Sequence, residues 1–252
     1  MMQYEMITSR HNPLLAHMKK LLTSRGYRTQ CGEYAADGVK LLDEALRWDC
    51  GLTAVILQEG VEVGEIPAGV RVAVVPRALM QSISQMEAPQ GAIFSCRRPQ
   101  DGAARLSPGS LVLDGIQDPG NLGTILRTAD ALDVPVFLTE GCADAYNPKT
   151  VRASMGAVLR TPPQTLMRQA VIDQCRGANI PLLATAMHTD ARDIRDVALE
   201  QAAVVIGSEG RGVGPELMTA ADGHVIIPMT ERCESLNAAV AAAIVMWQMK
   251  RQ

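Results

Sequence analysis

The sequence predicts an α/β fold in two parts, and three observations carry that expectation. From residue 110 onward, short aliphatic runs alternate with helical stretches, the pattern of a parallel sheet with crossover helices. Residues 1–100 hold a smaller α/β pattern of their own. Between them, Arg97-Arg98-Pro99-Gln100-Asp101-Gly102 is polar, charged and turn-prone, and it reads as a linker. The expected domains are residues 1–100 and 106–252.

In the first domain, Asn12-Pro13 starts a helix, and Leu14, Leu15, Met18, Leu21 and Leu22 recur at helical spacing. Residues 38–47 form a second helix with Val39, Leu42 and Leu46 on one face. Residues 54–57, 70–75 and 92–95 are aliphatic runs bounded by Gly and Pro signals, and read as strands.

In the second domain, residues 111–114 are the first strand, and Asp118-Pro119-Gly120-Asn121 is turn chemistry before a helix over 122–132. Strands follow at 134–138, 180–184 and 203–206, with helices at 148–156, 164–176 and 213–221. Residues 225–227 are a last short strand. Pro228 ends it, having no N–H for the ladder. A polar loop leads to Ser235, a good N-cap for an Ala-rich helix ending near Lys250. A strand end, a loop and a helix N-terminus therefore meet at one point, with unpaired N–H groups facing a cavity.

Composition narrows the function classes. Of 252 residues 47% are hydrophobic, ample for a core, and only 3% are aromatic. That scarcity argues against an RNA-binding sheet built on stacked rings. The N-terminus has no apolar signal-peptide core, and the longest apolar stretch, 238–247, is too short to span a bilayer. No membrane role is expected. Cys31, Cys50, Cys96, Cys142, Cys175 and Cys233 are scattered, which suggests reduced thiols in a cytoplasm and neither a disulfide framework nor a zinc site. Net charge is −3, but residues 1–30 carry Arg10, Lys19, Lys20, Arg25 and Arg28 against Glu5. This is either a solvated helix face or an arm that contacts phosphate.

Three stretches carry candidate chemistry. Asn121-x-Gly123-x-x-x-Arg127 sets an amide and a guanidinium within two turns of a helix start; alone, it is an Asn cap and a surface Arg. Gly207-Ser208-Glu209-Gly210-Arg211-Gly212 follows a strand, where glycine permits close backbone approach, yet its spacing is not the dinucleotide-binding fingerprint. Ile227-Pro228-Met229, then Ser235-Leu236-Asn237, forms the last loop.

In this order the three stretches resemble the signature motifs of the SpoU (TrmH-type) RNA ribose methyltransferases, over roughly the C-terminal three-fifths of the chain. The opening ITSRHNPLL and the later YAADGVKLLDEAL are in the style of the ribosomal-protein-like substrate-binding domain that often precedes them, with Asp37-Gly38 where an acidic residue and Gly are usual. Two positions depart from the family: Glu231 stands where Gly is usual, and Ala238-Ala239 where Val-Ser is common.

The resemblance implies a knotted α/β methyltransferase domain of the SPOUT class, acting as a homodimer, an exception to the rule against threaded chains. It implies S-adenosyl-L-methionine bound by Gly207, Ile227 and Leu236, with Met229 adjacent. Arg127 would orient the ribose 2′-hydroxyl and its phosphate, Ser235 and Asn237 would hold the ribose or Arg127, and Glu209 would fix Arg127 or Asn121. No metal is expected, because neither nucleophile nor leaving group needs one. Ribosomal RNA is favoured over transfer RNA. A non-catalytic RNA-binding protein and an unrelated nucleotide-binding enzyme are the alternatives.

Overall fold

Local sequence signals set most element starts in the computed structural model, which describes residues 4–99, 105–230, 232 and 235–251. In chain order the first elements are β1 (Glu5–Met6), α1 (Pro13–Thr23), α2 (Arg25–Cys31), β2 (Glu33–Asp37) and α3 (Val39–Arg47). Next come β3 (Leu52–Gln58), β4 (Arg71–Val75), α4 (Arg77–Ile83) and β5 (Ala92–Arg97). Then follow β6 (Ser110–Asp114), α5 (Pro119–Ala131), β7 (Val136–Leu138), α6 (Pro148–Ala153), α7 (Ala157–Arg160), β8 (Gln164–Thr165) and α8 (Arg168–Ala178). The last are β9 (Leu182–Thr185), β10 (Arg192–Asp193), β11 (Ala203–Gly207), α9 (Pro215–Ala220), β12 (Gly223–Ile226) and α10 (Ala238–Met249). Two units result: Met1–Gln100 with Tyr146–Arg160, and Asp101–Ala145 with Thr161–Gln252.

The first unit is built on a mixed sheet in the order β1-β4-β3-β5-β2. Asn12 caps α1 by accepting from the Leu14 N–H at 2.8 Å, and Pro13 occupies the first turn, where its missing N–H costs nothing. The expected stripe is the buried one: Leu14, Leu15, Met18, Leu21 and Leu22 pack with Ile56, Val75, Met80 and Ile93. Burying each such side chain contributes roughly 1.5–3 kcal/mol, which outweighs the poor intrinsic stability of an 11-residue helix.

One of the five N-terminal cations is structural. Arg28 is buried and donates from Nη1 to the Leu21 carbonyl at 2.7 Å, so it is not available to phosphate. Arg10, Lys19, Lys20 and Arg25 are exposed. Residues 146–160, which the sequence groups with the second domain, belong to this unit. There α6 packs on β2, Tyr146 lies 4.8 Å from the Tyr34 ring, and Arg160 pairs with Glu44.

The second unit is a wholly parallel sheet in the order β10-β12-β9-β11-β6-β7-β8. Its interior strands are continuous aliphatic runs because helices cover both faces. Val112, Phe137, Leu182 and Val205 share a core with Val171, Ile172 and Leu217. Asp118 caps α5 through the Asn121 N–H at 2.8 Å, so the stretch expected as a turn is the first helical turn, with Pro119 at its start. The helix expected from residue 164 begins at Arg168, because Gln164 and Thr165 pair with β7 as an edge strand.

The last helix is also capped differently from expectation. Asn237, not Ser235, is the N-cap of α10: its Oδ1 accepts from the N–H groups of Ala239 at 2.9 Å and Val240 at 3.3 Å. Both residue types cap well, and the tertiary packing of α10 on α5 selects between them.

Candidate active site

The parallel strands β12, β9 and β11 are neighbours, and their carboxyl ends open on one pocket of about 360 Å³. Crevices at the carboxyl ends of parallel strands are the usual ligand sites of α/β sheets. The pocket takes Gly207 and Glu209 from the β11 end, Ile227 and Met229 from the loop after β12, and Ser235 and Leu236 from the approach to α10. All four residues expected at the cofactor are therefore in the lining. Thr185, at the end of β9, and Ala186 and Met187, just past it, also line the pocket and were not anticipated. Their only sequence signal is their place at a strand end.

Gly207 has a steric reason for its identity. A Cβ there would lie 2.0 Å from the Gly212 carbonyl carbon and 2.2 Å from the Val213 nitrogen. The loop folds back this tightly because Ser208 and Gly212 exchange backbone hydrogen bonds at 3.1 and 2.9 Å. The close approach that requires glycine here is to the loop's own backbone, and Gly207 lines the pocket as well.

At the pocket rim, three side chains from three distant stretches form a directed relay. The Asn237 Oδ1 is committed to the α10 backbone, so its amide nitrogen faces outward and donates to Asn121 Oδ1 at 3.0 Å. Asn121 must then present its own amide nitrogen to Glu209 Oε1, and it does. Helix start, amide, amide and carboxylate are ordered by donor and acceptor chemistry alone. Of the two partners expected for Glu209, it takes Asn121.

Arg127 stands apart. It is exposed on α5, outside the pocket lining, with no hydrogen bond or ion pair among the described residues. Glu231, the departure from the expected motif, lies outside the described residues.

Two further groups are invisible in sequence spacing. The buried Asp114 accepts from Arg168 Nε at 2.8 Å, from the Gly214 N–H at 2.7 Å and from the Thr139 hydroxyl. It thereby ties together the loop after β11, the end of β7 and the start of α8. His188, Asp190 and His224 bring two ring nitrogens and a carboxylate oxygen within 4.8 Å of one another. Hydrogen bonds from His188 and then His224 hold Asp190 below the usual carboxylate range.

Residues 108–247 match the family described as SpoU rRNA Methylase, more than half of the chain, and residues 12–93 match an MRM3-like substrate binding domain. The chain belongs to the SpoU rRNA methylase family. Its SpoU relatives include a 23S rRNA (guanosine(2553)-2′-O)-methyltransferase, RlmP, of Bacillus subtilis (strain 168), 29% identical over 97% of this chain and 98% of that enzyme. A 23S rRNA (uridine(2479)-2′-O)-methyltransferase of Streptomyces viridochromogenes is 31% identical over 98% of this chain and 92% of that one. Among solved structures, an AdoMet-bound rRNA methyltransferase from Sinorhizobium meliloti superposes with a TM-score of 0.85 at 27% identity, covering 99% of this chain and 98% of that chain. The α/β SPOUT fold class with an N-terminal substrate-binding domain is thereby established for this SpoU protein. Two of its three signature stretches line the pocket, and the first is joined to them through Asn121.

Proposed function

We propose that this protein transfers a methyl group from S-adenosyl-L-methionine to a ribose 2′-hydroxyl of RNA, with ribosomal RNA as the substrate class. The relay Asn237–Asn121–Glu209 at the mouth of the pocket carries this reading, because it locks the three signature stretches into one arrangement. The relatives that act on 23S rRNA, and the cofactor held by the S. meliloti enzyme, support the substrate and cofactor assignments.

The residues present fit the cofactor. Ile206, Ile227 and Leu236 give the pocket apolar walls for an adenosine, and the ends of β11 and β12 offer backbone groups to its edge. When bound, the cofactor supplies an electrophilic methyl on a sulfonium. The protein's part is then orientation and charge. Asn121, fixed by Asn237 and Glu209, presents a rigid polar rim to the ribose. Arg127 orients the hydroxyl and the adjacent phosphate; a guanidinium offers five donors and no acceptor, which makes it a poor general base but a good bidentate clamp.

A homodimer belongs to this proposal. Helix α10 is apolar nearly all round, and Val240 and Trp247 remain 48% and 67% exposed on a seam at helical spacing. The placement of Arg127 outside its own pocket supports its acting on the pocket of a second subunit. A cytoplasmic location is also proposed, supported by the free thiols of Cys31, Cys50, Cys96, Cys142 and Cys175.

Labelled methyl transfer to unmodified ribosomal and transfer RNA tests the activity, with alkali resistance at one linkage as the mark of a ribose methyl. Arg127→Ala is expected to lose at least about a hundredfold in turnover while binding S-adenosylhomocysteine normally. Mixed dimers with an inactive pocket variant are expected to regain activity if Arg127 serves the neighbouring pocket. An Arg127→Ala enzyme of full activity would remove Arg127 from the mechanism.

Asn121→Asp probes the relay. It sets a second carboxylate against Glu209 and removes the donor between them. Turnover is expected to fall by roughly a hundredfold with cofactor affinity little changed. Wild-type kinetics would show that the relay has no catalytic role.

A further inference from the structure

The segment between β9 and β10 has to cross β12, because β9 pairs with one edge of β12 and β10 with the other. Residues 186–191 make that crossing. The Ala186 N–H donates to the Val225 carbonyl at 3.1 Å, and the Ala191 N–H closes a turn onto the His188 carbonyl at 3.1 Å. The turn sets His188 and Asp190 against His224 of β12. Asp190 Oδ1 lies 2.5 Å from His188 Nδ1 and 3.0 Å from His224 Nδ1, and the two ring centroids are 4.8 Å apart. Among the described residues no lysine or arginine pairs with Asp190, and Arg195, further along the chain, is held by Asp193.

Two imidazoles and a carboxylate are the donor set of an open zinc site, in which three protein ligands leave a fourth position to water. Each of the three offers a ligand atom within 4.8 Å of the other two. The side chains of His188 and Asp190 are 57% and 65% exposed, so an ion can reach them. His224 Nε2 is buried without a partner, which leaves Nδ1, on the Asp190 side, as the coordinating atom of that ring. With zinc bonds of about 2.0–2.2 Å, tetrahedral ligands stand about 3.3 Å apart, so the exposed Asp190 has to withdraw by less than about 1 Å.

We propose that His188, Asp190 and His224 form a divalent-metal site, suited to zinc, that pins the crossing segment to β12. Met187 and Val225, the chain neighbours of the two histidines, line the cofactor pocket, so the ion braces one wall of it. None of the three ligands is in the lining itself, and the ion is a brace and not a reactant.

The test is isothermal titration of Zn²⁺ into the full chain after dialysis against a chelator, with amide hydrogen exchange at residues 186–190 as the second readout. His188→Ala and Asp190→Asn change exposed side chains and leave the fold intact. Each is expected to weaken Zn²⁺ binding at least about tenfold, since loss even of a partner outside the coordination shell costs about 10–100-fold. Cys31→Ser removes an exposed thiol that could take Zn²⁺ elsewhere, and is expected to bind as the wild type does. Zn²⁺ should slow exchange at 186–190 in the wild type and in Cys31→Ser, and not in His188→Ala. No binding at about 0.1 mM Zn²⁺, wild-type affinity in His188→Ala, loss of binding in Cys31→Ser, or unchanged exchange at 186–190 each overturns the proposal. Neither readout involves methyl transfer, so the site stands or falls separately from that activity.

Discussion

Gly207→Ala is expected to abolish cofactor-site binding. The added methyl falls 2.0 Å from the Gly212 carbonyl carbon and 2.2 Å from its oxygen and from the Val213 nitrogen, so it meets a backbone peptide that no rotamer change can move aside. The loop from Ser208 to Gly212 must open, breaking the reciprocal hydrogen bonds that close it. Glu209 rides on that loop and would leave Asn121, and Gly207 itself lines the pocket. The cost is on the order of 4 kcal/mol, the range reached when backbone has to move. Most of it falls on the loop, since β11 remains paired to both β6 and β9. Isothermal titration with S-adenosylhomocysteine should show affinity reduced by at least about a hundredfold, with the far-ultraviolet circular dichroism of the wild type. Undiminished affinity would mean that this hairpin-like loop is not what shapes the pocket.

Asp114→Ala carries the second large effect, on stability. Its carboxylate is 2% exposed and satisfies Arg168, the Gly214 N–H and the Thr139 hydroxyl together. Removing it leaves a guanidinium, an amide and a hydroxyl without their acceptor. Breaking a buried ion pair from one side costs about 3–5 kcal/mol; Arg168 is 28% exposed and recovers part of this in water, so roughly 3 kcal/mol is expected. In a chain of this size that lowers Tm by on the order of 10 °C. Asp114→Asn keeps one acceptor and should fall between. A melting temperature unchanged in Asp114→Ala would show that water replaces the carboxylate in this network.

Much of the fold was legible because its signals are local. The α1 stripe needs only the periodicity of Leu14 to Leu22, and its start needs only Asn12 and Pro13. The central strands β6, β9 and β11 are aliphatic runs that could only be buried on both faces. The weaker elements were not legible. β2, with the sequence EYAAD, and α4, RALMQSI, have no clear period, and their states come from pairing with β5 and packing against the core of the first unit. The two-residue strands β1, β8 and β10 exist only through their neighbours.

The candidate site residues lay in the sequence, because three ordered motifs name Asn121, Glu209 and Asn237 one by one. Their partnership did not. The three positions are 88 and 116 residues from one another along the chain, and only the strand order places their loops at one end of the sheet. Residue type alone could not choose between Ser235 and Asn237 as the cap of α10, nor tell that Arg28 is bound to its own fold while Arg127 is exposed, with no partner among the described residues. The sequence by itself determined which chemical groups this SpoU protein carries and the local elements that carry them, since helix caps and periodicity act over a few residues. Only the tertiary structure decided which groups touch, which acceptors stay unpaired and where a Cβ has no room, because those depend on chain segments brought together by sheet order.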